Sequence, residues 1–101
     1  MPSSKEYVTF ILEQCKELSA RPMMGEYLLY FRGKLIGGIY DNRLLVKPTK
    51  GALAMMPDAE YQLPYEGAKE MLLVDSVEDG AFLIGLFEIL YEELPLPKKK
   101  K

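Results

Sequence analysis

Apolar residues near the N-terminus recur at the spacing of one helical face. They are Val8, Ile11, Leu12, Cys15 and Leu18. Charged side chains such as Glu13 face the other way, which is typical of an amphipathic helix. Ser3 and Glu6 have the spacing of a capping box, in which each side chain binds a free backbone N–H. We therefore predict a helix that begins after Ser3 and ends near residue 18 or 19, before Pro22.

The middle of the chain alternates apolar segments with tight turns. Residues 26–31, 34–40 and 43–47 are rich in tyrosine and aliphatic side chains, which favour strands. An Arg-Gly pair at 32–33 and an Asp-Asn pair at 41–42 separate them, and such pairs close β-hairpins. This pattern predicts a three-stranded antiparallel meander.

The strand predicted over residues 26–31 is apolar on both faces. Side chains alternate along a strand, so Tyr27, Leu29 and Phe31 share one face. Leu28 and Tyr30 share the other face. Because helices can cover only part of this surface, we expect some of it to stay open.

The second half of the chain gives a weaker pattern. Thr49 is a suitable N-cap for a short helix over residues 50–56. A strand is predicted over residues 70–74, with another short strand near Tyr61.

A long helix is predicted to close the chain. Ser76 and Asp79 again have capping-box spacing, and the helix that follows is expected to reach Leu94. Its apolar positions are Phe82, Leu83, Ile84, Leu86, Phe87, Ile89, Leu90, Tyr91 and Leu94. A helix that is apolar over so much of its circumference lies at the centre of a core or is shared with a partner.

The order of these elements predicts the fold class. A helix, three strands, a short helix, one or two strands and a long helix form an α+β domain of two layers. We expect the antiparallel sheet, with its three-strand meander, to pack against the N-terminal and C-terminal helices. Residues 1–95 are expected to form one domain, and residues 96–101 a disordered tail of proline and lysine.

Two segments carry a resemblance to a known family. Residues 21–30 read RPMMGEYLLY and residues 41–47 read DNRLLVK. They resemble the N-terminal domain family of the TfoX/Sxy bacterial competence regulators, with patterns of roughly Arg-x-Met-Phe-Gly-Gly-x-Gly-Leu-Tyr and Asp-Gly-x-Leu-Tyr-Leu-Lys. The chain departs from the first pattern at Met24, where phenylalanine is usual, and at Glu26, where a second glycine is usual.

The resemblance implies a fold similar to secretion-chaperone-like domains. It implies neither an enzymatic activity nor a cofactor. The full-length regulators carry a second, C-terminal domain of helix-hairpin-helix character, which we expect to be missing here. A role in transcription therefore does not carry over with the fold.

Composition narrows the chemistry that remains. The chain has one cysteine and no histidine. Cys/His zinc sites, Ser-His-Asp triads and Cys-His dyads are therefore excluded, and only carboxylate, tyrosine or lysine chemistry is left. The lone Cys15 agrees with a reducing cytoplasm, where we expect the protein. No membrane span or secretory leader is expected, since the apolar runs are shorter than the ~20 residues that a span needs.

The charge pattern argues against nucleic acid as a partner. The net charge is −2, but four of the thirteen basic residues are the tail lysines Lys98 to Lys101. The remaining body has nine basic and fifteen acidic residues, and an acidic body repels the phosphate backbone. The tail is interpreted as a solubilising segment, with weak binding to nucleic acid or anionic lipid as the alternative.

Six residues in the predicted helix-to-strand connection and the strand after it are our candidates for an interaction surface. They are Arg21, Met23, Met24, Gly25, Leu28 and Tyr30. Methionine repacks easily against a partner, although core filling between the helix and the strand is the alternative for Met23 and Met24. Gly25 would supply an unusual backbone angle there. Arg21 either binds an anion or is solvated or paired with a carboxylate.

Two further groups have both a chemical and a structural interpretation. Gly33, Gly37 and Gly38 lack the spacing of a phosphate-binding loop, so a bulge or a close backbone approach is favoured for the pair at 37–38. A pocket of tyrosines and lysines could provide acid–base groups, with ordinary strand packing as the alternative. Its members would be Tyr27, Tyr30, Tyr40, Tyr65, Lys47 and Lys69.

These observations favour a non-enzymatic protein-interaction or regulatory module. Its partner is expected to be an unknown protein, or a second copy bound through the C-terminal helix. The alternative is a small-ligand-binding domain with a pocket under the loop of residues 57–67. No metal or cofactor is expected in either case.

Overall fold

The computed structural model describes residues 4–23 and 25–94. Three helices and six strands lie within these residues. In chain order they are α1 (Lys5–Glu13), β1 (Leu18–Met23), β2 (Glu26–Phe31), β3 (Lys34–Tyr40), β4 (Arg43–Val46), α2 (Lys50–Met55), β5 (Tyr61–Gln62), β6 (Met71–Leu73) and α3 (Gly80–Glu93).

All six strands form one antiparallel sheet in the order β1-β2-β3-β4-β6-β5. The predicted meander is its centre, and the predicted α+β fold with helices from both ends of the chain is confirmed. Its two tight turns place Arg32, Gly33, Asp41 and Asn42 at positive φ, as two-residue hairpins of this hand require.

The main core lies between one face of the sheet and the helices. Buried side chains of α1, α2 and α3 meet those of every strand except β5 in a single cluster. Phe31 is at its centre, with its ring centroid 5.8 Å from Phe87 and 6.1 Å from Tyr91. The helix-facing side of the sheet therefore carries the buried apolar side chains that stabilise the fold.

The first helix is shorter than predicted. It ends at Glu13, and β1 begins at Leu18, where we expected helix or loop. Cys15 and Leu18 are buried as predicted, but from a turn and a strand instead of a helical stripe. Six residues of β1 pair with β2, and this hydrogen-bonded ladder outweighs the weak helical preference of the segment. Pro22 is tolerated because β1 is an edge strand.

The helix caps also differ in part from the prediction. The Ser4 side chain accepts the N–H of Tyr7 at the start of α1, whereas the predicted Ser3 lies outside the described residues. Thr49 caps α2 as predicted. Asp79, not Ser76, is the N-cap of α3, because its carboxylate accepts the N–H of Phe82.

Most of the apolar circumference of α3 is used within the chain. Its Leu83, Leu86, Phe87 and Leu90 are fully buried in the core. The end of α3 is held by Lys34 of β3, which is 7% exposed and donates hydrogen bonds to backbone carbonyls in the helix's last turn and at its C-cap. Phe82, Tyr91 and Leu94 are partly buried against the same core, whereas Ile84 is 38% exposed.

Candidate functional site

A second buried layer lies on the face of the sheet that points away from the helices, here called the outer face. Tyr40 and Leu45 are 4% and 0% exposed, yet neither belongs to the main core. Their neighbours in sequence, Ile39, Leu44 and Val46, do belong to it. Because side chains alternate along a strand, Tyr40 and Leu45 point to the outer face.

The Tyr40 ring lies against Gly38, two residues earlier on the same face of β3. A β-carbon at Gly38 would stand 2.5 Å from Cε2 of Tyr40 and 2.7 Å from the carbonyl oxygen of Tyr27. A bulge between Leu29 and Tyr30 in the β2–β3 pairing accompanies this close packing. The structural interpretation of the glycine pair at 37–38, a bulge or a close backbone approach, is confirmed.

The segment of residues 63–70 packs over part of the outer face. The Tyr65 ring lies 6.1 Å from that of Tyr40, centroid to centroid. Arg43 of β4 holds the start of the segment, since its Nη1 donates to Oε1 of Gln62 at 2.6 Å and to the carbonyl oxygen of Leu63 at 3.3 Å. The segment thus forms one wall above the sheet.

A groove of about 500 Å³ lies between this wall and the strands. Its lining combines apolar, aromatic and charged side chains with backbone from several strands. The lining residues are Leu28, Leu35, Gly37, Tyr40, Lys47, Pro48, Thr49, Pro64, Tyr65, Ala68, Lys69, Glu70, Met71 and Leu94. A concave, mainly apolar surface with a few polar groups is typical of binding sites in this size range.

Four of the six predicted interaction residues share the outer face with the groove. In the register of β1 and β2, Arg21 stands opposite Leu28 and Tyr30 opposite Ser19. Met23, two residues after Arg21, follows on the same face. The Arg21 guanidinium lies 6.0 Å from the centroid of the Tyr30 ring, which fits a cation–π contact.

The other interpretations of the Met-Met-Gly segment are partly corrected. Met23 is the last residue of β1 and is outside the main core, so core filling between helix and strand is wrong for it. The φ angle of Gly25 is 87°, as its predicted unusual backbone requires. Gly25 lies immediately before β2, which pairs antiparallel with β1. Met24 lies outside the described residues.

The structure brings together part of the predicted tyrosine and lysine group. Tyr40, Tyr65, Lys47 and Lys69 all line the groove. Tyr27 does not, because it packs against the main core. Burial raises the pKa of Tyr40, and the nearby Tyr65 and Glu26 raise it further, so its hydroxyl keeps its proton at neutral pH and can donate a hydrogen bond.

An exposed apolar stretch that begins in β5 was missed by the sequence reasoning. Tyr61, Leu63 and Tyr65 are 48%, 47% and 56% exposed. The signal was available, because large apolar residues alternate with other residues from 61 to 65 in a segment that we interpreted mainly as loop. The stretch lies at one edge of the sheet, next to the groove wall.

Three observations concern the chemistry of the described residues. Residues 4–23 and 25–94 contain no cluster of acidic, cysteine or histidine side chains that could hold a metal ion. No helix among them is long and apolar enough to span a membrane. Cys15 is a buried free thiol.

Comparison with known proteins identifies a relative. The chain is 34% identical, over 105 aligned positions, to a Spirochaeta aurantia protein described as an uncharacterized 12.7 kDa protein in the trpE 5' region. The alignment covers all of this chain and 91% of the relative. This chain belongs to the same protein family. No protein-family model and no solved structure matches it.

Proposed function

We propose that this protein is a non-enzymatic interaction or regulatory module that binds a partner protein through the outer face of its sheet. The observation that carries this proposal is the asymmetry of the sheet. The helices cover one face, whereas the other presents Arg21, Leu28 and Tyr30 in register beside an apolar groove.

The sequence resemblance to the TfoX N-terminal domains supports the same proposal. Its specific part, residues 21–47, covers the hairpin that carries the candidate residues and the two strands after it. The chain also lacks histidine, the side chain that most often serves in acid–base catalysis near neutral pH. We propose a cytoplasmic setting, to which the single free Cys15 is suited.

Affinity capture with matched surface variants tests the proposal. The tagged full chain is compared with Leu28→Lys and Tyr30→Lys, which place a charge on the outer face. Ile84→Lys is the control, because Ile84 is 38% exposed on α3, on the opposite side of the molecule. We expect a stoichiometric protein to be captured by the wild type and Ile84→Lys and lost from both outer-face variants, each checked for an unchanged melting temperature.

The alternative partner is a second copy of this chain bound through α3. In that case Ile84→Lys would abolish self-association, measured by analytical ultracentrifugation, and the outer-face variants would not. This result, or capture that is indifferent to Leu28→Lys and Tyr30→Lys, would overturn the outer-face proposal.

The groove favours a second candidate function, which is binding of a small ligand. Its volume of about 500 Å³ lies within the range of roughly 300–1,000 Å³ usual for such sites. Leu28 belongs to both the groove and the proposed partner surface, so a ligand there would bear directly on partner binding.

A further inference from the structure

We infer that the groove on the outer face binds a small carboxylate with an aromatic or bulky aliphatic body. The inference rests on the second proposed function and assigns a ligand class to that site. It combines three features of the groove, which are its apolar lining, its two lysines and its net charge.

The apolar lining favours a ligand with a ring or a bulky aliphatic group. Leu28, Leu35 and Met71 present aliphatic surface along the strands, and Tyr40 and Tyr65 add two aromatic rings. The ring planes meet at 57°, so the two rings are tilted and not stacked, and Tyr65, at 56% exposed, is the more open of the two to a ligand. A hydrated ion alone would leave this apolar surface unused.

Two ammonium groups in the groove favour an anionic ligand. Neither the Lys47 nor the Lys69 side chain has a hydrogen-bond or ion-pair partner among residues 4–23 and 25–94. The acidic side chain that lines the groove beside them is Glu70. The described body carries nine basic and fifteen acidic residues, so this pair of lysines is a local exception in an acidic protein.

The balance of these charges favours a single negative charge on the ligand. Two lysines and one glutamate give the lining a net charge of +1. The single negative charge of a carboxylate balances it, whereas the two charges of a phosphate dianion exceed it. Half-buried Lys47 is the stronger candidate to hold the carboxylate, because partial burial strengthens a charge-assisted hydrogen bond. Exposed Lys69 would act from the rim.

Binding of 2-naphthoate to the full chain, followed by two-dimensional amide NMR, tests the inference. The neutral 2-naphthalenemethanol has the same ring system without the charge and serves as the ligand control. The Lys47→Met, Lys69→Met double variant removes both cations and retains long side chains. Lys16→Met removes one exposed lysine that does not line the groove and serves as the protein control.

We expect 2-naphthoate to shift groove amides such as those of Gly37, Lys47 and Tyr65 saturably. Loss of both lysines should weaken its binding about tenfold or more, because hydrogen bonds to charged groups are lost. Lys16→Met should bind like the wild type, and the alcohol should bind more weakly than the carboxylate. Equal binding of the two ligands, no effect of the double variant, or no saturable shift would each overturn the inference.

The outcome for the ligand is separable from the outcome for the partner. If the wild type does not bind 2-naphthoate but its capture of the partner protein is still abolished by Tyr30→Lys, the ligand class alone is overturned. Saturable 2-naphthoate binding with capture indifferent to both outer-face variants would overturn the partner proposal alone. Tyr30 separates the two results because it does not line the groove.

Discussion

Substitution of Gly38 by alanine should destabilise the protein and displace Tyr40, which lines the groove. The new β-carbon would stand 2.5 Å from the Tyr40 ring and 2.7 Å from the Tyr27 carbonyl oxygen. The ring can turn away, but the carbonyl belongs to the neighbouring strand and cannot. Overpacking of this kind costs about 1–3 kcal/mol, and the reduced freedom of the unfolded chain offsets about 0.4–1 kcal/mol of it. The mid-range values leave a net loss of about 1.3 kcal/mol, or about 5–10 °C in melting temperature.

Urea unfolding of Gly38→Ala beside Gly85→Ala measures this effect. Gly85 lies in α3, and among the described residues its added β-carbon would meet the Met55 methyl group, at 3.8 Å. That variant should be stabilised by about 0.5–1 kcal/mol, because alanine favours a helix. The displaced Tyr40 ring should also weaken 2-naphthoate binding to Gly38→Ala. A Gly38→Ala protein as stable as the wild type, or equal losses in both variants, would refute the reasoning.

Two further predictions concern the ends of helices. Lys34→Met removes the donor of two hydrogen bonds, to the carbonyl oxygens of Tyr91 and Leu94. It should lower the free energy of unfolding by about 1–3 kcal/mol and speed amide hydrogen exchange at the end of α3. Unchanged exchange there would contradict this role of Lys34. Hydrogen bonds from the Thr49 hydroxyl and from the Gly51 N–H lower the pKa of Glu93 below its usual 4.5. Glu93 therefore stabilises the fold above about pH 4.5, and this stabilisation is lost as the pH falls through the lowered pKa. The urea midpoints of wild type and Glu93→Gln should differ at neutral pH, and the difference should shrink as the pH falls through the lowered pKa; a constant difference would show another cause.

The strands of the meander could be predicted closely, whereas β1 could not. The pattern from residue 26 to residue 46 combines strand-forming side chains with turn pairs that require positive φ, so local signals agree with the fold. In β1, Leu18 and Ala20 alternate with polar residues, as strand residues do. We did not predict a strand there because Pro22 disfavours one and because Leu18 also fits the preceding helical stripe. Pairing with β2 decides the structure of this segment, and the local propensity of residues 18–23 does not report that pairing.

The candidate site was only partly predictable for a similar reason. Alternation along residues 26–31 is enough to place Leu28 and Tyr30 together on the face opposite Leu29 and Phe31. The groove depends on residues far apart in sequence, since Tyr40, Lys47 and Lys69 meet through the sheet and the returning 63–70 segment. From the sequence we could propose that tyrosines and lysines share a pocket. The sequence did not show which of these residues line the same groove.

Site-specific photo-crosslinking in living cells tests the central claim, that the outer face is the binding surface, most directly. The photoreactive amino acid p-benzoylphenylalanine replaces Tyr30 on the outer face or Ile84 on α3, one at a time. The account predicts a discrete heavier adduct from position 30 on irradiation and none from position 84. An adduct from position 84 alone, including one of twice the mass of the chain, would contradict it.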